Sequence, residues 1–164
     1  MQHIIEALAK TTYPYHHITV HASATRPKDN HKMRDLKKMH KRKGWRDIGY
    51  HVVIERDGKV VIGRDFNVMG SQVLGHNENN FGICLVGGVN DRTRKAEDNY
   101  TQPQLESLRE LVSTLSGALG VQECNIRGHR DWYPDHNGDG IIDSRDWLKE
   151  CPCFDVQKTL QSWK

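Results

Sequence analysis

Alternation of apolar and polar residues predicts β-strands in several parts of the chain. Residues 16–22 alternate in this way, so their Ile and Val side chains would face one side of a strand and His21 the other. The β-rich runs on either side of residues 57–58 (Asp-Gly) predict a hairpin, because this dipeptide favours a tight turn. The continuous apolar run 81–86 is typical of a buried central strand, and residues 125–127 are a further short strand.

Helical spacing accounts for much of the remaining chain. Leucine and valine recur at intervals of three and four residues after Thr101, which is suited to an N-cap, and Gly120 is suited to ending that helix. Three further helices are predicted at residues 3–10, at residues 31–43 and after Asp155. There is no internal repeat and no linker composition. The pattern therefore predicts one α/β domain over residues 1–164.

The composition is that of a polar globular domain. Among 164 residues, 36% are hydrophobic, and the mean hydropathy is −0.75. No apolar run approaches the ~20 residues that a membrane span needs. The start of the chain lacks a basic segment followed by a long apolar one, so we expect no secretory signal and a protein that stays in a cytoplasm unless something else releases it. The four cysteines are expected to be thiols or metal ligands.

The net charge of +3 is unevenly distributed along the chain. Eight Lys and Arg residues lie between positions 32 and 46, in and just after a predicted helix. Such a surface could meet an anionic partner, such as a cell-wall polymer, a nucleic acid or an acidic protein. The alternative is an ordinary solvated helix face.

His21, His129 and Cys151 are candidate ligands of a hydrolytic zinc ion. His21 is predicted at the far end of a strand that opens into a loop, where α/β sheets commonly carry their chemistry. A hydrolytic zinc ion takes three protein ligands and leaves its fourth position to water, whose pKa falls to about 7. Residue types alone do not select these three, because the chain has ten histidines and four cysteines.

Five short motifs occur in order along the chain. They are His21-Ala-Ser-Ala-Thr, Gly44-Trp-Arg-Asp-Ile-Gly-Tyr50-His, Leu85-Val-Gly-Gly, Gly128-His129-Arg-Asp and Lys149-Glu-Cys151-Pro-Cys-Phe-Asp155. This series resembles the type 2 N-acetylmuramoyl-L-alanine amidases, the family of zinc amidase phage endolysins and peptidoglycan recognition proteins. The likeness covers nearly the whole chain from His17 onward. It implies a central mixed β-sheet flanked by helices.

The resemblance also implies a site and a reaction. It assigns zinc to His21, His129 and Cys151, and it makes Tyr50 and Lys149 the catalytic residues. Lys149 would supply positive charge where an oxyanion develops, and Tyr50 would hydrogen-bond the attacking water and help to move a proton. The family's reaction is hydrolysis of the amide between the lactyl group of N-acetylmuramic acid and L-alanine in bacterial peptidoglycan.

One position departs from the family pattern, and the roles of several others are left open by the sequence. Gln72 stands where relatives often have a histidine, and Gln72 and His76 are candidate substrate-binding residues. A plain surface residue is the alternative for His76. Cys151 and Cys153 could form a disulfide or a ligand pair, and the resemblance selects Cys151 as the ligand. Family members that only bind peptidoglycan tend to lack the zinc cysteine, so Cys151 favours an enzyme.

An EF-hand-type calcium loop is predicted as an insertion at residues 135–146. Its oxygen ligands fall at loop positions one, three, five, seven, nine and twelve, with glycine at six. The ligands are Asp135, Asn137, Asp139, the backbone carbonyl of Ile141, Asp143 and Asp146, and Ile142 is the expected apolar anchor. The stretch resembles the calcium loops of dockerin modules; a polar turn without an ion is the alternative. Because the loop shortly precedes Lys149 and Cys151, bound Ca²⁺ would order the segment that carries both residues.

The sequence therefore favours a zinc-dependent amidase with one catalytic Zn²⁺ and one structural Ca²⁺. A phage endolysin is expected, released to the host cell wall with the help of a membrane-permeabilising partner, and a monomer is the expected state. One alternative is a non-catalytic regulator that binds peptidoglycan or RNA polymerase through the basic helix. Another is a calcium-dependent interaction module in which zinc is only structural.

Overall fold

A five-stranded mixed β-sheet forms the centre of the molecule, and the computed structural model describes all 164 residues. The strands are β1 (His17–Ala22), β2 (Val52–Ile54), β3 (Val60–Ile62), β4 (Asn80–Leu85) and β5 (Ile126–Gly128). They lie in the order β3-β2-β4-β1-β5. Strands β2, β4, β1 and β5 are parallel, and β3 runs antiparallel to β2 as the second strand of the predicted hairpin. The mixed α/β sheet that the sequence predicted is confirmed.

Four α-helices flank this sheet, and each corresponds to a predicted helix. They are α1 (Gln2–Leu8), α2 (Met33–Arg42), α3 (Gln102–Leu119) and α4 (Val156–Ser162). The ends of α3 follow the sequence signals, since Thr101 Oγ1 accepts a hydrogen bond from the Gln104 amide and Gly120 takes a left-handed φ of 67°. None of these helices combines the length and the apolar character that crossing a membrane requires.

The two faces of the sheet bury cores of different size. The larger core contains 20 buried residues, among them Ile18 and Val20 of β1 together with leucines and valines of α1, α3 and α4. The smaller core lies on the opposite face, where Leu36 of α2 packs with Val53 and Cys84. Cys84 is fully buried, as its apolar run predicted. Three helices therefore cover one face, and α2 covers part of the other.

The parallel pairing of β1 and β5 determines where two histidines meet. Val20 of β1 pairs with Gly128 of β5. The residues that follow these two are His21 and His129, so both imidazoles come to the carboxyl ends of adjacent parallel strands. His21 also pairs with Cys84 of β4, which puts its side chain on the same sheet face as the smaller core. Open α/β sheets typically carry their sites at this edge.

Candidate metal centre

His21, His129 and Cys151 form the one group of metal-ligating side chains whose donor atoms converge. These atoms lie within 4.8 Å of one another. The two imidazole centroids are 4.7 Å apart, and Cys151 Sγ is 3.8 Å from His21 Nδ1. Sulfur and nitrogen ligands of a single tetrahedral zinc ion lie about 3.6 Å apart. The donor set and its spacing thus fit zinc.

Cys151 reaches the histidines because its segment is held against the ends of β1 and β5. The Arg130 amide donates to the Cys151 carbonyl at 2.8 Å, and the Ala22 amide donates to Cys151 Sγ at 3.1 Å. Gly128 makes this approach sterically feasible, since a Cβ at this position would lie 2.7 Å from Cδ of Pro152. The glycine of the Gly-His-Arg-Asp motif therefore has a packing role at the site.

Burial keeps all three side chains in their uncharged forms. It lowers the pKa of His21 well below its usual value, and the charge of neighbouring His129 acts in the same direction. Burial also lowers the pKa of His129 to about 4, with a further contribution from the Lys149 ammonium. Burial raises the pKa of the Cys151 thiol to about 12. Neutral imidazoles are ready to bind a metal, and the thiol would release its proton to solvent when a metal binds the sulfur.

The two predicted catalytic residues differ in burial, since Tyr50 is half-buried and Lys149 is exposed. Tyr50 precedes β2 and packs on the smaller core, with its ring centroid 5.1 Å from that of His21. Burial raises the pKa of Tyr50 well above its usual value, so the phenol keeps its proton and can donate a hydrogen bond. Lys149 is exposed. Its positive charge contributes to the lowered pKa of both histidines.

The two candidate substrate-binding residues occupy different environments. Gln72 is half-buried, and its Oε1 is 2.7 Å from His21 Nε2. His76 is exposed and is not part of the metal-ligating group, and its ring centroid is 4.8 Å from that of Trp132. Substrate contact by either residue stays a prediction.

Cys153 is not part of the metal-ligating cluster. Its Sγ donates to the Gly88 carbonyl at 3.4 Å, and the thiols of Cys151 and Cys153 are both free. The structure therefore contains neither the disulfide nor the ligand pair that the sequence left open.

Comparison with known proteins identifies the family. The family model described as N-acetylmuramoyl-L-alanine amidase matches residues 11–147. The chain belongs to this amidase family. The family and the enzyme class predicted from the five motifs are thereby confirmed.

Individual relatives of this amidase-family chain agree with the assignment. The endolysin of Enterobacteria phage T3 is 41% identical over 142 residues, which covers 86% of this chain and 82% of the endolysin. The endolysin of Escherichia phage T7 is 39% identical over 141 residues, with the same 86% and 82% covered. The N-acetylmuramoyl-L-alanine amidase LysC from Clostridium intestinale has the same fold, with a TM-score of 0.68 at 24% identity over 92% of this chain and 86% of LysC.

The predicted calcium loop forms a series of turns closed by its own acidic side chains. Asp135 accepts the Gly138 and Gly140 amides, each at 2.7 Å, and Asp146 accepts the His136 amide at 2.9 Å. Such bonds are typical of Asx-type turns and occur with or without an ion.

The remaining acidic groups of the loop, Asp139 and Asp143, both contact the side chain of Arg145. Asp139 and Asp143 each bind the Arg145 guanidinium at 2.6 Å, so this cation occupies oxygens that the sequence assigned to Ca²⁺. Ile142, expected as an apolar anchor, is 43% exposed and buries no core surface. Calcium binding stays a prediction.

Trp132 is a residue beside the site that the sequence gave no reason to select. Its indole Nε1 donates to Thr19 Oγ1 at 2.9 Å, across 113 residues of chain. Its ring packs edge-on to His17 at 5.2 Å and lies under the Arg127 guanidinium at 5.1 Å. No local pattern marks such a contact, because its partners come from separate strands.

Proposed function

We propose that this chain is a zinc-dependent amidase of the phage endolysin type, acting as a monomer with residues 1–164 as one catalytic domain. Its reaction would be hydrolysis of the amide between the lactyl group of N-acetylmuramic acid and L-alanine in bacterial peptidoglycan. The observation that carries this proposal is the convergence of His21, His129 and Cys151 within 4.8 Å, in a member of an amidase family.

The three ligands would have distinct roles in holding zinc. His21 and His129 would bind through neutral nitrogens and Cys151 as the thiolate. The Ala22 amide, 3.1 Å from the sulfur, would stabilise the negative charge of that thiolate. When bound, zinc polarises a scissile carbonyl and lowers the pKa of a water ligand to about 7.

Tyr50 and Lys149 would act on the substrate in different ways, Tyr50 as a neutral hydrogen-bond donor and Lys149 as a positive charge. The protonated Tyr50 phenol can donate a hydrogen bond to an oxygen at the reacting centre and pass a proton towards the departing L-alanine amine. Lys149 carries a positive charge on an exposed side chain, so it can move towards the carbonyl oxygen as negative charge develops there. The half-buried phenol is held in place, whereas the lysine is free to follow the substrate.

Release of new L-alanine amino termini from purified peptidoglycan tests the proposal. Cys151→Ser should lose zinc and activity together, because an alcohol is a poor zinc ligand at neutral pH. Cys153→Ser is the matched control, two residues away and bonded to Gly88, and it should keep both properties. Folded, zinc-loaded wild-type protein that releases no L-alanine amino termini would instead favour a binding role.

A binding role for the basic surface is the second candidate function. Arg34, Lys38, Lys41 and Arg42 of α2 are all exposed and unoccupied by acidic partners. This surface can meet an anionic face of a macromolecule such as RNA polymerase. Lys38→Glu combined with Lys41→Glu should abolish binding to purified host polymerase while amidase activity remains; tight binding by that double variant would exclude this surface.

A further inference from the structure

We propose that Gln72 is a positioning residue of the metal site, whose side-chain oxygen holds His21 so that Nδ1 faces the metal. The inference rests on the proposed zinc binding. It gives Gln72 a different role from the substrate contact that the sequence predicted.

The hydrogen bonds around Gln72 determine the tautomer of His21. The Gln72 amide nitrogen donates to the Asn80 carbonyl at 2.9 Å, and a carbonyl can only accept. This bond fixes which end of the amide is oxygen, so Oε1 is the atom 2.7 Å from His21 Nε2. Because Oε1 can only accept, His21 Nε2 must carry the hydrogen. Nδ1 is then the bare nitrogen with a free lone pair.

The bare nitrogen of His21 is the one that faces the other ligands. Nδ1 lies 3.8 Å from Cys151 Sγ, whereas Nε2 is occupied by Gln72. A hydrogen bond to the far nitrogen of a ligating histidine fixes the orientation of the ring and makes the near nitrogen a stronger donor to the metal.

Gln72 is itself held in place by its surroundings. The Asn77 Oδ1 atom accepts the Gln72 backbone amide at 2.7 Å. The side-chain amide lies flat against β4 at Gly82, where an added Cβ would be 2.1 Å from Oε1 and 2.5 Å from Cδ. Only a glycine at this strand position leaves room for the amide. Both polar atoms of Gln72 thus have protein partners, which favours a positioning role over contact with the substrate.

Three variants test separately the hydrogen-bond acceptor of Gln72 and the packing of its side chain. Gln72→Leu keeps much of the volume but removes the acceptor, whereas Gln72→Glu retains an acceptor for His21. Gly82→Ala leaves Gln72 chemically intact but displaces its amide. Gln161→Leu is the control, because Gln161 is exposed in α4 and is not part of the metal-ligating cluster.

Two readouts are needed, and neither depends on catalysis. The first is the zinc dissociation constant, measured by chelator competition. We expect it to rise by about 10- to 100-fold in Gln72→Leu and Gly82→Ala and to stay near the wild-type value in Gln161→Leu. In Gln72→Glu the rise should be smaller than in Gln72→Leu, because the acceptor for His21 is kept although the donor to the Asn80 carbonyl is lost. The second is the ¹⁵N spectrum of the His21 ring in metal-free protein, which should show a hydrogen on Nε2 in the wild type and a mixture of tautomers in Gln72→Leu.

The outcomes distinguish this inference from the proposed function. Wild-type zinc affinity in folded Gln72→Leu, or a wild-type His21 ring with its hydrogen on Nδ1, would overturn the positioning role. If Gln72→Leu raises only the KM for peptidoglycan, Gln72 is a substrate contact instead. Wild-type protein that binds no zinc would refute the proposed function itself.

Discussion

At the scale of single residues, His51 shows how a buried hydrogen-bond network sets a protonation state. Its ring is fully buried, with Nδ1 accepting the Gly82 amide at 2.9 Å and Nε2 lying 3.0 Å from the Val68 carbonyl. The carbonyl requires a hydrogen on Nε2, so a second proton would have to be placed on Nδ1, against the Gly82 N–H. Burial accordingly lowers the pKa of His51 from 6.5 to about 4.

This shift predicts a loss of stability in acid. Between pH 6.5 and 4 the unfolded chain binds a proton at His51 that the folded protein does not, so stability falls as the pH falls through this window. From pH 7.5 to 4.5 the contribution is about 2–3 kcal/mol. Urea unfolding of wild type and His51→Gln at several pH values measures it. The variant should be less stable at pH 7.5 but flatter in its pH profile; parallel profiles would contradict the argument.

Tyr50 carries the second prediction at the residue scale. Removing the phenol oxygen in Tyr50→Phe should leave zinc binding intact and lower kcat by about 10²- to 10⁴-fold, since this is the usual contribution of a proton-transfer group. Steady-state kinetics and zinc stoichiometry check both parts. Tyr13→Phe is a control outside the cluster. A Tyr50→Phe enzyme with wild-type kcat would remove the phenol from the mechanism.

At the scale of elements, the start of α3 is joined to the sheet by one buried amide. Gln104 is fully buried; its Nε2 donates to the Ile54 carbonyl at 3.1 Å and the Val86 carbonyl at 3.0 Å, and its Oε1 accepts the Thr101 amide. We expect Gln104→Leu to lower the free energy of unfolding by about 2 kcal/mol, because it leaves buried polar groups without this partner. The same change at exposed Gln102 should cost less than about 0.5 kcal/mol in urea unfolding. An equal loss of unfolding free energy in the two variants would contradict the role of Gln104 in joining α3 to the sheet.

The loop at residues 135–146 is the second element with a testable property. For Ca²⁺ to bind, Arg145 must release Asp139 and Asp143. We expect terbium, a luminescent calcium substitute, to be sensitised by Trp147 and displaced by Ca²⁺, and Asp139→Ala to abolish the signal. Glu78→Ala, outside the loop, is the control. Absence of a signal in wild type would refute the calcium site. Unchanged activity of zinc-loaded protein after calcium removal would refute ordering of Lys149 by the ion.

At the scale of the whole molecule, the metal centre joins segments that are far apart in the chain. His21 and Cys151 are separated by 130 residues. The proposed zinc ion would bind only where folding brings them together, so saturation to about 1,000 times the dissociation constant should add about 4 kcal/mol of stability. For a domain of this size the melting temperature should rise by about 8–16 °C. Calorimetry with and without zinc should show this rise in Cys153→Ser but not in His21→Ala. An equal rise in melting temperature in both variants would mean that zinc stabilises the protein by binding at another site.

The sequence by itself determined the elements and the chemical parts of the site. The Asp-Gly hairpin at 57–58, the Thr101 cap and the helical spacing act within a few residues, and each formed as predicted. The ordered motifs also specified the family and, through it, the proposed zinc ligands. Such signals are readable because turn, cap and periodicity energies are local.

Only the tertiary structure decided how these parts are oriented. Gln72 lies against His21 across 51 residues, Cys153 turns away to Gly88, and Arg145 takes the carboxylates assigned to calcium. Each of these outcomes depends on which partners the packed chain brings within about 3 Å of a polar atom. Strand pairing and the packing of β4 at Gly82 set those distances, and no local pattern in the sequence specifies them.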